Sequence, residues 1–373
     1  MSLPTIAVAG ALAAKPGHGG EAWVRISWAL GLRRLGFDVW LLEECDPDTA
    51  RTGRAFFERT AERFGLGDRA VLLAGEEPAG PLDRGELEEL AGESVALLNI
   101  SGNLRDPELR RRFPRRAYVD LDPGFTQIWH AEGGLGDQLR EHDRHFSVGL
   151  GLGGPDCEVP DGGFEWIPVP PPVLLGEWAA PARSGLDRFT TVATWRNALG
   201  GLEYGGRAYT LKHHQLRRFA GLPAETGLPF ELALEIHPGE ADEVARLRER
   251  GWTVIDPAAV ANSPDAFREY VRGSGAEFSV AQGVYAETDS GWISDRTAHY
   301  LAAGRPAVVQ ETGIPPRFRA EAGMLTFATP EGAAAAAKEV AADYERHAAA
   351  AREYAERTFD SDRVLTRVLE ALA

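Results

Sequence analysis

The sequence predicts an α/β protein built from two Rossmann-like, doubly wound domains with a helical tail. Three observations predict it. Short apolar runs of strand type alternate with helix-length segments through the first half of the chain. A proline-rich stretch, IPVPPPVLLGEW (Ile167 to Trp178), breaks that alternation near the middle. A second alternating series of similar length then follows. Alternating strands and helices imply a parallel sheet with right-handed crossovers. Prolines fit neither a helix interior nor a central strand, so the break reads as a stiff connector between domains.

The elements follow in order. TIAVAG (Thr5 to Gly10) is a buried strand that runs into the loop ALAAKPGHGG. A helix is expected from Glu21 to Leu35, where Trp23, Ile26, Ser27, Leu30 and Arg34 recur at three- and four-residue steps. FDVWLL (Phe37 to Leu42) completes a βαβ unit, and further strands are expected near Val71, Val95, Tyr118 and Val148. Gly149 to Pro155 reads as a turn-rich loop. In the second series, strands are expected at Phe189 to Trp195, Phe230 to Ile236, Ala276 to Ala281 and around Val308, with helices at Leu211 to Gly221 and Glu240 to Arg250. Two helical runs, Pro330 to Tyr354 and Asp360 to Ala373, close the chain. The expected division is residues 1–170, a linker at 171–180, residues 181–355, and a final helix, 356–373, that packs back toward the first domain.

Composition narrows the function. With 373 residues, 44% hydrophobic and 26% charged, the chain is ordinary globular material. A net charge of -16 argues against a nucleic-acid backbone or an anionic membrane as the main partner, because both require a basic face. Cys45 and Cys157 read as reduced thiols. His130, His142 and His145 lack zinc-type spacing. The first residues carry no basic stretch ahead of their apolar run, and no run of about 18 apolar residues occurs, so no membrane span is expected and the expected compartment is the cytoplasm.

SGWISDRTAHYLAAGRPAVVQETG (Ser290 to Gly313) carries the clearest functional signal. It reads as a glycine turn, a helix capped by Ser294 with Asp295 in its first turn, a stop at Gly304, and a buried strand. The open end of such a helix presents N–H groups to an anion. Gly17, Gly19 and Gly20 precede the first helix and read either as a second anion-approaching loop or as a plain strand-to-helix turn.

Together, PGHGGEAWVRISWALGLRRLGFDVWLL and the Ser290 to Gly313 segment resemble the two halves of GT-B glycosyltransferases, in the right order. The resemblance implies two Rossmann-like domains facing across a cleft, with the acceptor on the first and a nucleotide-diphosphate sugar on the second. It implies transfer of a sugar to a hydroxyl or amine on a small-molecule or glycan acceptor. No bound cofactor and no metal are expected, the nucleotide sugar serving as co-substrate. His18 is the implied base, with Asp120 and Asp122 as the carboxylates that orient it. Gly19 and Gly20 would approach the donor. Arg196, Lys212 and Arg296 would neutralise the diphosphate leaving group. His237 would border the base or ribose, or simply cap a helix. Gly291, Trp292, Ser294 and Asp295 would form the phosphate turn, and Glu311 and Thr312 would meet the sugar hydroxyls. His213 and His214 are expected at the surface or on the cleft wall. Trp129, Trp166, Trp195 and Trp292 read as stacking surfaces or as core.

Two departures stand out. Where many retaining members carry a Glu-x7-Glu pair, this chain has Gly291 and His299. Gly291-Trp292-Ile293-Ser294 matches three of four residues of the plant-type Gly-Trp-Asn-Ser phrase, but no Glu follows. The stereochemical outcome, the nucleotide, the acceptor and the oligomeric state are not encoded legibly. Two further readings are a nucleotide-sugar epimerase on the same fold and a non-catalytic sugar- or nucleotide-binding protein.

Overall fold

A computed structural model describes residues 3–75, 77–196 and 200–373. The chain divides into two compact units. The first holds the residues up to Gly153, Pro160–Leu174 and Asp360–Ala373; the second holds Gly154–Val159 and Leu175–Phe359. Residues 154–159, expected in the first domain, thus belong to the second unit. There the Glu158 N–H donates to the carbonyl of Thr288 (2.9 Å), and Arg207 pairs with the Glu158 carboxylate (2.9 Å). Among the described residues no helix is long and apolar enough to cross a membrane.

The first unit is a seven-stranded parallel sheet. Its strands are β1 (Thr5–Ala9), β2 (Asp38–Glu44), β3 (Ala70–Leu73), β4 (Ala96–Ile100), β5 (Arg116–Asp120), β6 (Arg144–Ser147) and β7 (Trp166–Pro168), in the order β3-β2-β1-β4-β5-β6-β7. Helices α1 (Gly19–Arg34), α2 (Pro47–Arg63), α3 (Arg84–Glu93), α4 (Pro107–Arg112) and α5 (Phe125–Ala131) make the crossovers. Strands covered on both faces read as near-continuous apolar runs; every residue of β3 and β4 is buried, and Asn99 is the one polar residue among them. The last helix, Ser361–Leu372, packs on α1 through Gly31. A Cβ there would lie 2.4 Å from Leu365 Cδ1 and 3.1 Å from Ser361 Cβ, so a larger residue would push the Leu365 side chain aside.

The second unit has a six-stranded parallel sheet and a separate two-stranded hairpin. The strands are β8 (Phe189–Thr194), β9 (Leu202–Tyr204), β10 (Arg207–Tyr209), β11 (Phe230–Glu235), β12 (Trp252–Ile255), β13 (Ala276–Ser279), β14 (Ala307–Gln310) and β15 (Met324–Phe327). The sheet order is β12-β11-β8-β13-β14-β15, while β9 and β10 pair antiparallel. The helices are α6 (Lys212–Arg218), α7 (Leu222–Thr226), α8 (Ala241–Glu249), α9 (Ala258–Ala261), α10 (Pro264–Gly273), α11 (Gly283–Glu287), α12 (Asp295–Ala302), α13 (Pro330–Ala342) and α14 (Tyr344–Thr358). Register sets the core. Phe230 lies opposite both Phe189 and Trp252, and its ring stacks on Phe189 at 4.8 Å and tilts on Trp252 at 5.2 Å. Phe278 stacks on Phe327 at 5.2 Å. Such cross-strand aromatic pairs each add about 0.5–1.5 kcal/mol beyond the area they bury.

Several elements differ from the sequence expectation. Strand β7 takes in Ile167 and Pro168 of the stretch read as a connector, at the edge of the sheet, where proline is tolerated. The hairpin β9–β10 and strand β15 are only three or four residues long, too short to register as strands. The run expected as one helix from Pro330 to Tyr354 is broken at Asp343, which ends α13 and begins α14 with non-helical backbone (φ -135°, ψ 54°).

Candidate functional site

In an open α/β sheet, ligands bind beyond the carboxyl ends of the strands where the winding direction reverses. In the second unit that point lies between β8 and β13. These strands pair only at Phe189–Ala276 and Thr190–Glu277, and beyond Glu277 they part. Arg296, from the first turn of α12, fills the gap. Its guanidinium donates from Nη1 to the Val192 carbonyl (2.7 Å), from Nη2 to Ser279 Oγ (2.7 Å) and from Nε to Glu277 Oε1 (2.6 Å). The Glu277 side chain is fully buried and that of Arg296 is 14% exposed. A charge so placed must be paired. The expectation that Arg296 binds phosphate is therefore corrected: its cation is matched by Glu277, and it holds the switch point together.

Lys212 opens α6 beside this wedge. It is half-buried, and among the described residues its ammonium has no hydrogen-bond or ion-pair partner. Burial and then the Arg296 cation pull its pKa down to about 7, against the opposing pull of Glu277. An unpaired cation at a switch point is what an anionic ligand requires.

The Ser290–Gly313 segment forms two loops sewn together. Gly291 (φ 71°) donates its N–H to the Thr312 carbonyl (2.6 Å), and Thr312 Oγ1 donates to the Trp292 carbonyl (2.7 Å). Gly291 therefore offers no free N–H to a phosphate, and Thr312, 1% exposed, meets no sugar; both expectations are corrected. Glu311 Oε1 accepts from the N–H groups of Thr312, Gly313 and Ile314, and its Oε2 pairs with Arg319 (3.2 Å), so it clamps its own turn rather than waiting for a hydroxyl. Ser294 does occupy the N-cap of α12, but its hydroxyl makes no capping bond. The Ser294 hydroxyl thus satisfies none of the first-turn N–H groups. Asp295 sits half-buried in that turn. Trp292 stacks on Tyr285 at 4.4 Å and lines a small cavity with Ser279, Ser294, Thr297 and Gln310. His299 is buried and stacked on Trp178 at 4.1 Å; burial, then Arg296, takes its pKa down to about 3.

The remaining second-unit candidates are spoken for. Arg196 forks onto Glu240 through three bonds of 2.8–3.1 Å. His237 caps a short turn, accepting from the Gly239 N–H at 3.1 Å, so of its two readings the structure displays the cap. His213 is buried against Trp195 instead of facing outward, while His214 is exposed. Trp166 and Trp195 are core residues and Trp129 is half-buried against Phe125.

In the first unit, His18 is exposed at the N-cap of α1 and makes no capping bond. The N–H groups of Gly19 and Gly20, just inside α1, have no acceptor among the described residues. The loop that delivers them is held by a residue the sequence reading passed over. Glu43 on β2 is fully buried, and its carboxylate accepts from the N–H groups of Leu12 (2.7 Å), Ala13 (2.6 Å) and Ala14 (2.8 Å). Burial raises its pKa, with those three bonds working against the rise. Helix α2 presses on the same loop through Gly53, where a Cβ would lie 1.8 Å from the Ala13 carbonyl oxygen. Asp120 is corrected. Its Oδ1 accepts from the Asp122 N–H and Thr126 Oγ1, and its Oδ2 from Gln127 Nε2 and Ser147 Oγ, all within 3.0 Å. Four donors fill both oxygens, so Asp120 joins β5, β6 and α5 and has no lone pair to orient a histidine. Asp122 stands at the entrance to α5, its carbonyl accepting from the Thr126 N–H (3.2 Å). Among the described residues no group of three or more His, Cys, Asp or Glu is placed to hold a metal.

The structure thus brings together Lys212, the open end of α12 and the Arg296–Glu277 wedge. Gln310 extends this floor, accepting from the Ala281 N–H (3.1 Å) and donating to Gln215 (3.1 Å). Sequence reading missed Glu277, Ser279, Gln215 and Gln310.

No protein-family model matches this chain, and no curated protein matches it. Solved structures do. An α-glucosyltransferase in complex with UDP and a 13-mer DNA aligns over 100% of both chains at TM-score 0.64 and 13% identity. Anabaena HepE in complex with UDP aligns over 99% of each at TM-score 0.59 and 10% identity. Sucrose-phosphate synthase from Thermosynechococcus elongatus covers 99% of this chain and 100% of its own at TM-score 0.54 and 14% identity. A putative UDP-N-acetylglucosamine 2-epimerase from Listeria monocytogenes also matches, covering 100% of this chain and 96% of its own at TM-score 0.54 and 10% identity. Two parallel α/β units, aligned from end to end with such proteins, give this chain the GT-B fold.

Proposed function

We propose that the protein is a glycosyltransferase that takes a sugar from a nucleotide-diphosphate donor, and that the diphosphate binds beyond β8 and β13. The observation that carries this reading is the ammonium of Lys212, which has no partner among the described residues, beside the start of α12, where the N-cap hydroxyl of Ser294 makes no capping bond. A leaving diphosphate gains negative charge as the glycosidic bond breaks, and a cation with N–H donors already aimed at it lowers that barrier. The reading needs no metal, since Lys212 and the helix start supply the positive end. The UDP bound by several proteins of this fold supports it.

Titration calorimetry with UDP, TDP, GDP and their sugars, in EDTA, tests the reading. At least one should bind with a micromolar to millimolar Kd, and silence from all of them overturns it. UDP-N-acetylglucosamine incubated without acceptor separates transfer from epimerisation: the proposal expects no C2 epimer. His18 is the acceptor-side base in this reading, because a hydroxyl must lose its proton as it attacks. His18→Ala is expected to cut turnover by about 10²–10⁴-fold while nucleotide affinity stays within twofold of wild type. Unchanged turnover places the base elsewhere.

A further inference from the structure

The second unit carries a cleft of about 680 Å³ at the other end of α12 from Arg296. Every residue that lines it belongs to that unit. Ala302 and Ala303 reach it from the end of α12, Ala348 and Ala349 from α14, and residues 179–184 from the segment ahead of β8. The volume is that of a small-molecule site. Its charged lining is three arginines and one glutamate, in a chain whose net charge is -16.

The three arginines are not equivalent. Arg183 pairs with Asp187 (2.8 Å) and Arg352 with Glu356 (2.7 Å). Arg305 is 2% exposed, and among the described residues no carboxylate pairs with it. Its Nε and Nη2 donate to the Arg272 carbonyl (3.1 and 2.7 Å), and Nη2 donates also to the Pro181 carbonyl (3.1 Å). The Tyr344 hydroxyl is a further neutral neighbour. A guanidinium keeps its proton even when buried, so a full positive charge stands here. The Arg272 carbonyl lies in the last turn of α10, whose dipole supplies about half a unit of negative charge. The remainder is unmatched, and a buried charge without a counter-charge is costly. In the same unit Arg296 is answered by Glu277. Arg305 has no such answer within the chain and borders the cleft instead.

We infer that this cleft binds an organic monoanion, a carboxylate carried on an apolar body. The carboxylate meets the Arg305 guanidinium, with Arg183 and Arg352 adding positive potential from the same lining. The alanine methyls offer the body an apolar surface with no bulky side chain to displace. One unmatched cation suits a single negative charge better than a phosphate dianion, and alanine walls give a hydrated inorganic anion nothing to replace its water. The length of α12 separates the cleft from the donor floor, so the two sites can be tested apart.

Titration calorimetry of the intact protein with 2-naphthoate, its neutral amide 2-naphthamide and inorganic phosphate tests the inference. Naphthoate is expected to bind with a Kd of about 1 mM or tighter. Naphthamide and phosphate should each bind at least about tenfold more weakly. Either of them binding as tightly as naphthoate, or no naphthoate binding at millimolar concentration, overturns the inference. Ala349→Glu sets a carboxylate into the lining at an exposed position of α14, where substitutions are usually mild for folding. It should weaken naphthoate at least about tenfold. Arg305→Met should do the same; it also removes the donor that meets the end of α10, so if it fails to fold, Ala349→Glu decides alone. Naphthoate affinity that survives Ala349→Glu, whether or not Lys212→Met removes it, places the anion elsewhere and overturns the inference.

Discussion

Lys212→Met is expected to weaken UDP binding by roughly ten- to a hundredfold, the loss of one charge-assisted contact of about 1.5–3 kcal/mol. Methionine keeps the length and the apolar stem of lysine and removes only the charge. The same change should alter two pH dependences. Folding draws the Lys212 pKa to about 7, below the ordinary lysine value. Between about pH 7 and 10.4 the unfolded chain therefore holds a proton that the folded chain has lost, and stability rises with pH across that window. Below about pH 7 both states are protonated and the folded protein bears the whole cost of a desolvated, unpaired ammonium. Lys212→Met removes that cost, so its thermal midpoint at pH 6 should be no lower than wild type and its rise toward pH 9 should be smaller. Binding runs the other way. A diphosphate stabilises the ammonium and raises its pKa, so UDP should bind with proton uptake at pH 8, and affinity should fall as pH increases above 7. Calorimetry in buffers of differing ionisation enthalpy reads the uptake directly. A variant that binds UDP like wild type, with the same uptake, removes Lys212 from the site.

The fold was legible because it is written in repeated, local signals. Each long strand is an apolar run bounded by turn residues, and each crossover carries helical periodicity. Short elements such as Leu202–Tyr204 and Met324–Phe327 escaped because three or four residues hold too little pattern to distinguish strand from loop. The site was legible only in part. Lys212 was named from the family resemblance and the start of α12 from its glycine turn and helix polarity, and the two lie at the starts of α6 and α12. What misled was treating every cation near the motif as a ligand for phosphate. Whether an arginine is available depends on which carboxylate reaches it, and Arg296 meets Glu277 19 residues away, just as Arg196 meets Glu240 44 residues away. A signal did exist: Glu277 within AEFS and Glu43 within DVWLLEE are carboxylates inside buried strands. Such groups must be answered by donors from elsewhere: the N–H groups of residues 12–14 answer Glu43, and Arg296 of α12 answers Glu277. The same consideration removed Asp120, whose oxygens are filled by Thr126 and Gln127 from the following helix and by Ser147 from the neighbouring strand.

Glu277→Ala is expected to be the most damaging single change to the second unit. Glu277 is fully buried, and without it the Arg296 guanidinium remains under β8 and β13 with two neutral acceptors and no counter-charge. Removing one partner of a buried pair typically costs about 3–5 kcal/mol, because the other charge is left uncompensated. At roughly 2–4 °C per kcal/mol for a domain of this size, the apparent Tm should drop by about 10 °C. Glu277→Leu with Arg296→Met replaces both charges by apolar groups of similar volume and should recover most of that loss, since a buried ion pair and its apolar substitute are often close in stability. The Glu277→Leu and Arg296→Met single variants complete a double-mutant cycle whose coupling should be strongly favourable. The cycle also separates wedge from ligand. If Arg296 holds the switch point and Lys212 holds the phosphate, the refolded double variant should retain UDP affinity to within about tenfold, less than the loss from Lys212→Met. Its Lys212 should also become more basic, because the nearest cation has gone. A double variant that is fully stable yet loses nucleotide binding as completely as Lys212→Met would show that Arg296 reaches the phosphate after all. The wedge would then be only its resting position.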